Sequence, residues 1–304
     1  MNGPRTIACL AGAGVGPELM GEASRALAEV AWLHGVGIDD VHLPFGAEAV
    51  TRCGHPLPPA TRTGYRDVEA ILVASPTEPA FKGVLADVDP AWQVARVQTR
   101  PAGDLLVFGP FGPCVEAAAV AHAFDAAAAR HGHVTSVGGS AGWREAVDGE
   151  SERRAPIRVE HATLGEVLVQ LRDAPHQLDV VVAEGDLASA IVDAAAHLAG
   201  TISTAAWGWV PEDGPAMFAP AASEPDAVAG FGVADPAGML LTVALLLSEG
   251  LGRRSAARTL ERAVAEVVCL NGSGPSGTRE FTDAVIERLP GARTDTELFV
   301  EVWA

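Results

Sequence analysis

The chain has 304 residues, 48% of them apolar, enough to bury a sizeable core in one large or two ordinary domains without covalent staples. Its 39 acidic residues outnumber 21 basic ones, and the net charge of -18 excludes nucleic acid and anionic membrane surfaces as electrostatically steered partners. Cys9, Cys53, Cys114 and Cys269 are scattered without a CxxC pair, and no basic leader with a long apolar run is expected, so a reducing, cytoplasmic setting fits.

In chain order, Thr6 to Ala11 is a short apolar run that closes in Gly12-Ala13-Gly14-Val15-Gly16-Pro17-Glu18, followed by helical spacing to Val30. This predicts strand, glycine turn and helix, with Pro17 at the first helical position. The glycines are spaced GxGxG, which is not the GxGxxG dinucleotide fingerprint. Further strands are predicted at Ala70–Ala74, Leu105–Phe108, His133–Val137 and Asp179–Ala183, separated by Ala-rich helical patterns. The alternation predicts an α/β sheet covered by helices on both faces. Pro211–Pro225 reads as a loop, and Asn271–Gly277 (NGSGPSG) as either a connector or an anion-cradling turn. The apolar stretch Gly238–Leu251 is shorter than the roughly 20 residues a membrane span needs and predicts a buried helix. One lysine, Lys82, and one tyrosine, Tyr65, occur in the chain, so a mechanism using either as general acid has a single candidate of each.

Residues 7–27 (IACLAGAGVGPELMGEASRAL), 178–200 (LDVVVAEGDLASAIVDAAAHLAG) and 230–252 (GFGVADPAGMLLTVALLLSEGLG) resemble the isopropylmalate and isocitrate dehydrogenase family. GVGPE, GHPLP at Gly54–Pro58, the Arg100-Pro101 pair, VTSV at Val134–Val137 and GTREFTDAV at Gly277–Val285 stand in the family's order. The resemblance implies a two-domain isopropylmalate dehydrogenase-like α/β fold with an interdomain cleft. Residues 1–99 plus 205–304 would form a discontinuous first domain, and 100–204 a second domain carrying the dimer helices. It also implies a homodimer, for which the apolar faces near Leu164–Arg172 and Leu187–Leu198 are suited.

The family reaction oxidises a 2-hydroxy acid with NAD or NADP and decarboxylates it with Mg²⁺ or Mn²⁺. Its polar requirements are mostly unmet by this sequence. Of three metal-binding aspartates, the first falls at Gly165 and the second at Ser189, leaving Asp193, and one carboxylate with a hydroxyl makes a weak site for a hard divalent ion. The lysine position after the VTSV strand is glycine, within Gly138-Gly139-Ser140. The segment that carries the family's tyrosine and a substrate arginine shortens to Val107–Cys114, with neither residue. Arg100 matches one substrate-clamping arginine, while the earlier one aligns near Pro90. In the cofactor loop an alanine replaces the adenine-contacting histidine, the ribose-binding acid aligns with Ala227 or, after a one-residue slip, Asp226, and Glu224 adds negative charge.

The expectation is therefore the family scaffold without its standard reaction, and neither NAD nor Mg is expected as cofactor. The remaining candidate catalytic groups are Arg100, His161 and Asp193, with Glu184, Ser189, Gly139 and Gly165 lining the ligand cleft. His161 is either a base or a packed structural group, and Trp92, Trp143, Trp207 and Trp209 suggest either a roomy apolar pocket or core packing. The first functional reading is a non-redox enzyme or binding protein for a small organic ligand. The second is a non-catalytic partner subunit of an intact paralogue, and the third is a dehydrogenase with an altered site.

Overall fold

The computed structural model describes residues 4–99, 103–112, 116–154, 156–199, 205–222, 226–271 and 277–291. In chain order these form β1 (Arg5–Leu10), α1 (Gly16–Leu33), β2 (Ile38–His42), α2 (Gly46–Cys53), α3 (Pro59–Gly64), β3 (Ala70–Val73), α4 (Phe81–Val88), β4 (Trp92–Thr99) and β5 (Gly103–Pro110). There follow α5 (Glu116–Ala128), β6 (His133–Val137), α6 (Ala141–Arg153), β7 (Arg158–Ala162), α7 (Leu164–Asp173), β8 (Val180–Ala183) and α8 (Leu187–Ala199). The chain closes with β9 (Ala205–Val210), β10 (Ala216–Pro220), α9 (Ala237–Leu245), α10 (Arg254–Asn271) and α11 (Thr278–Ile286). The expected α/β fold is observed. Pro17 lies in the first turn of α1, where its missing N–H costs nothing.

All strands join one 10-stranded sheet in the order β2-β1-β3-β10-β9-β4-β5-β8-β6-β7. The pairs β10–β9, β9–β4 and β4–β5 are antiparallel and the others parallel, so strand direction reverses only across the middle. Pro211–Pro225, read from the sequence as a loop, contains β10, a fully buried strand between β3 and β9. Pro220 ends that strand, where a residue without an N–H is tolerated, and the short AMFA run gave no loop-to-strand signal of its own.

Because side chains alternate along a strand, the sheet builds different cores on its two faces. On one face Ile7, Val94, Phe108, Val180 and Phe218 pack under α1, α5, α6, α9 and α10 as one large cluster. Helix α9, apolar but for Thr242, is entirely buried there, as expected for Gly238–Leu251, though the helix gives way to a π turn at Leu246–Gly250 whose last three residues are half-buried. No helix among the described residues is long and apolar enough to cross a membrane. On the other face the core divides. Ala95, Val107 and Val181 of the strands pack against Val167 of α7 and Ile191 of α8, while Leu10, Ile71 and Met217 pack against Val84 of α4 and against Phe45, Leu57 and Tyr65.

A buried ion cluster joins α10 to the sheet on the undivided face. Arg96 of β4 donates to Glu261 of α10 and to Asp104 of β5. Arg130 donates to Asp104 at 2.9 Å and to Asp179 at 2.5 Å. Two arginines thus face three carboxylates, and Arg96 is shared between Glu261 and Asp104. Burial pushes Glu261 up to about 7 against the pull of Arg96. Asp104 is pushed up by burial too, but Arg96 and Arg130 together outweigh this and hold it below its usual range.

Candidate functional site

The two clusters of the second face lie on either side of the antiparallel centre of the sheet, one beneath α4 and the other beneath α8. Trp207 and Trp209 alternate with Gly208 on β9 and so project to the same side, Trp207 against the α8 cluster and Trp209 against the α4 cluster. Both are half-buried. Their rings are stacked with centroids 6.1 Å apart, and Phe81 at the start of α4 meets Trp209 edge-on at 5.4 Å. On the adjoining strand β4, Gln93 pairs in register with Trp209 and Ala95 with Trp207. The strip between the two clusters is therefore aromatic, with Gln93 beside it. Such a surface holds a planar or apolar body and offers little to a multiply charged one.

The four tryptophans noted in the sequence divide between two environments. Trp143 is fully buried, its indole N–H donating to Ser136 Oγ at 3.0 Å, and Trp92 is buried against Phe108 and stacks on His122 at 4.3 Å. Both belong to the undivided face. Of the four, Trp207 and Trp209 alone lie on the strip between the two second-face clusters.

Of the candidate residues, Glu184 and Gly139 are brought together. Glu184 follows β8 and accepts the backbone N–H of Gly139 at 2.7 Å and of Ser140 at 3.2 Å. Hydrogen bonding from Ser140 and Gly139 holds its carboxyl below the usual range. Gly138 is required beside them, because a Cβ there would lie 2.5 Å from the Trp143 ring and 2.8 Å from Glu184 Cβ. The Glu184 carboxylate is thus spent on fixing the turn that leads into α6, whose first turn Ser140 caps. Ser189 and Asp193 share one side of α8, Ser189 half-buried and Asp193 exposed. His161 lies on the edge strand β7 and bonds Asp148 of α6 at 2.9 Å. It shares its strand face with Val159, which packs on the α6 side, whereas α8 covers the opposite face, so His161 does not converge with Asp193. Gly165 is exposed in the first turn of α7, which a Thr163–Glu166 capping box opens. Arg100 lies outside the described residues.

A divalent ion and a dinucleotide are the groups the resemblance implies, and the described residues fit neither. Along α8 the donors are the Ser189 hydroxyl, the exposed Asp193 carboxylate and the exposed His197 imidazole, which form no group of three carboxylate, thiol or imidazole ligands, and Gly165 has no side chain to add. Among the described residues the only group of three His, Cys, Asp or Glu donors within mutual reach is Cys9, Asp40 and His42, on the far strands β1 and β2. In the glycine turn after β1, the Ala13 N–H donates to Glu78 at 3.0 Å and the Ala47 N–H at the start of α2 donates to the same carboxylate at 3.2 Å. The chain thus fills with its own carboxylate the amides a phosphate would want. Gly46 is obligatory beside it: its φ is +68° and a Cβ would lie 2.4 Å from Glu78 Cδ. Of the cofactor loop, residues 223–225 and the side chain of Asp226 lie outside the described residues, and Ala222 and Ala227 offer no polar side chain.

Sequence reasoning missed Glu78, Phe81 and Gln93. No local spacing links them to their partners, since Glu78 meets Ala13 across 65 positions and Phe81 meets Trp209 only through the fold.

Helix-covered on both faces and reversed in direction at its centre, the sheet places the chain among the large mixed α/β proteins. The family model for isocitrate/isopropylmalate dehydrogenase matches residues 116–283, more than half of the chain. The chain is 26% identical to a 3-isopropylmalate dehydrogenase of Pseudoalteromonas translucida (strain TAC 125), over 93% of this chain and 98% of the relative. It is 27% identical to that of Synechococcus sp. (strain CC9902), over 86% and 90%. Among solved structures, a beta-decarboxylating dehydrogenase from Thermococcus kodakarensis superposes with a TM-score of 0.78 at 20% identity, covering 99% of both chains. An isocitrate dehydrogenase from Methylococcus capsulatus gives 0.74 at 22% identity, covering 94% of this chain and 99% of that one. The chain belongs to the isocitrate/isopropylmalate dehydrogenase family.

Proposed function

We propose that this protein binds a small, predominantly apolar organic ligand in a groove over the aromatic strip between α4 and α8, as a non-redox enzyme or binding protein without oxidative decarboxylation. The reading rests on the Trp207–Trp209–Phe81 aromatic cluster between α4 and α8, and on α8 carrying a single carboxylate, Asp193. The groove then separates two domains, 1–99 plus 205–304 and 100–204, and the protein acts as a homodimer. Exposed Val169 on α7 and Leu198 on α8 support that assembly. The same exposed pair would serve the second reading, a partner subunit for an intact paralogue, in which case co-purification with that paralogue is expected.

Isothermal titration with NAD, NADP and Mg²⁺ tests the first reading, alongside tryptophan-fluorescence titration with planar apolar acids on the wild type and on Trp209→Ala. Weak or absent cofactor binding, with organic-ligand quenching that falls in the variant, is the expected result. Tight dinucleotide binding together with oxidation of any 2-hydroxy acid, read as reduced nicotinamide, overturns it.

A further inference from the structure

Far from the groove, the sheet margin gathers three metal-ligating side chains that the functional reading does not use. β1 and β2 pair in parallel with Cys9 directly opposite His42, and Asp40 lies two residues before His42 on the same strand. With a side-chain period of two, all three project to one side of the two-strand ribbon. Donor atoms of the three lie within 4.8 Å of one another, and His42 Nε2 already stands 3.3 Å from Asp40 Oδ2. Cys9 is 1% exposed and anchored in the core, whereas the Asp40 and His42 side chains, 40% and 54% exposed, are free to turn.

We propose that Cys9, Asp40 and His42 form a site for a borderline-soft divalent transition ion, of which zinc is the natural example. The chemistry selects the class. Thiolate, imidazole and carboxylate are zinc's usual donors, at about 2.0–2.3 Å, and calcium or magnesium would demand an all-oxygen shell. Tetrahedral ligands at those lengths stand about 3.5 Å apart, a contraction that rotation of the two exposed side chains supplies. Three protein ligands leave the fourth position to water or a further ligand. On binding, the Cys9 S–H bond is replaced by a sulfur–metal bond and its proton passes to solvent, with no change of oxidation state. The ion clips the edge strand β2, four of whose five residues are exposed, to the buried strand β1.

The experiment uses the full chain, freed of metal by chelator and titrated with Co²⁺ as a spectroscopic stand-in, then with Zn²⁺. The expected result is one cobalt per chain with a thiolate-to-cobalt charge-transfer band, displaced by zinc, and a rise in melting temperature on zinc addition. His42→Ala removes a ligand on an exposed edge and is expected to weaken binding by more than the roughly 10–100-fold that losing an outer-shell partner costs. Cys9→Ser removes the charge-transfer band. Should that core substitution unfold the chain, His42→Ala and Asp40→Asn carry the test. Substituting the exposed Cys53 and Cys269 by Ser leaves band and affinity unchanged. A wild type without the band, or His42→Ala with undiminished affinity, overturns the proposal.

Discussion

Replacing Glu261 by Gln isolates the surplus carboxylate of the buried ion cluster. Its side chain is 10% exposed, and burial raises its pKa from 4.5 to about 7. A carboxylate raised on folding holds its proton more tightly in the folded chain than in the unfolded one. Its stabilising contribution is therefore complete below the unfolded value and is lost as pH climbs through the folded one. At 1.36 kcal/mol per pH unit, the wild type loses about 3 kcal/mol between pH 4.5 and 7 from this group alone. Gln mimics the protonated form and still accepts from Arg96. Glu261→Gln is thus expected to match the wild type near the acid end of that window and to be more stable by up to about 3 kcal/mol above it. Some slope will persist in the variant, because Glu249, also pushed up by burial, lies beside the same cluster. The assay is urea unfolding followed by tryptophan fluorescence across that pH range. A variant that loses stability most at high pH refutes the reasoning, since it would make the ionised carboxylate the partner Arg96 requires.

On the proposed dimer face, Val169→Asp or Leu198→Asp is expected to give folded monomers by size exclusion with light scattering, because both side chains are exposed. Ile191→Asp, at 0% exposure in the α8 core, will instead unfold the chain, as circular dichroism will show. Trp143→Ala should cost about 3–5 kcal/mol through the cavity it leaves, and Ser136→Ala about 1–3 kcal/mol through the indole N–H it strands, both read by denaturant titration. Thr163→Ala breaks the capping box of α7 and should cost about 1 kcal/mol in the same measurement.

The parts of the fold that were legible in the amino-acid order are those whose apolar runs are continuous. β1, β3, β5 and β8 are legible because both of their faces are covered, and β6 (HVTSV) through its β-branched Val134, Thr135 and Val137. β2 (IDDVH) and β7 (RVEHA) are edge strands with polar, mostly exposed residues, and β4 carries Arg96 inside the ion cluster, so none presents such a run. β9 and β10 are built of Ala, Gly, Trp and Pro, which signal a turn as readily as a strand. At the site, Glu184 and Gly139 meet because they end neighbouring strands of the parallel half, a relation the β6–β8 register enforces. His161 parts from Asp193 because one position of strand parity decides which face a side chain occupies, and a single edge strand gives no local clue to that parity.

The two margins of the sheet bear on how copies of this molecule meet. Asp39, Asp40 and His42 on one margin, and Arg158, Glu160 and His161 on the other, are exposed and ionisable. A neighbour adding a strand to either flank would have to strip water from those charges. Lateral growth into ribbons or fibrils is thereby discouraged, and association is steered to the helical faces.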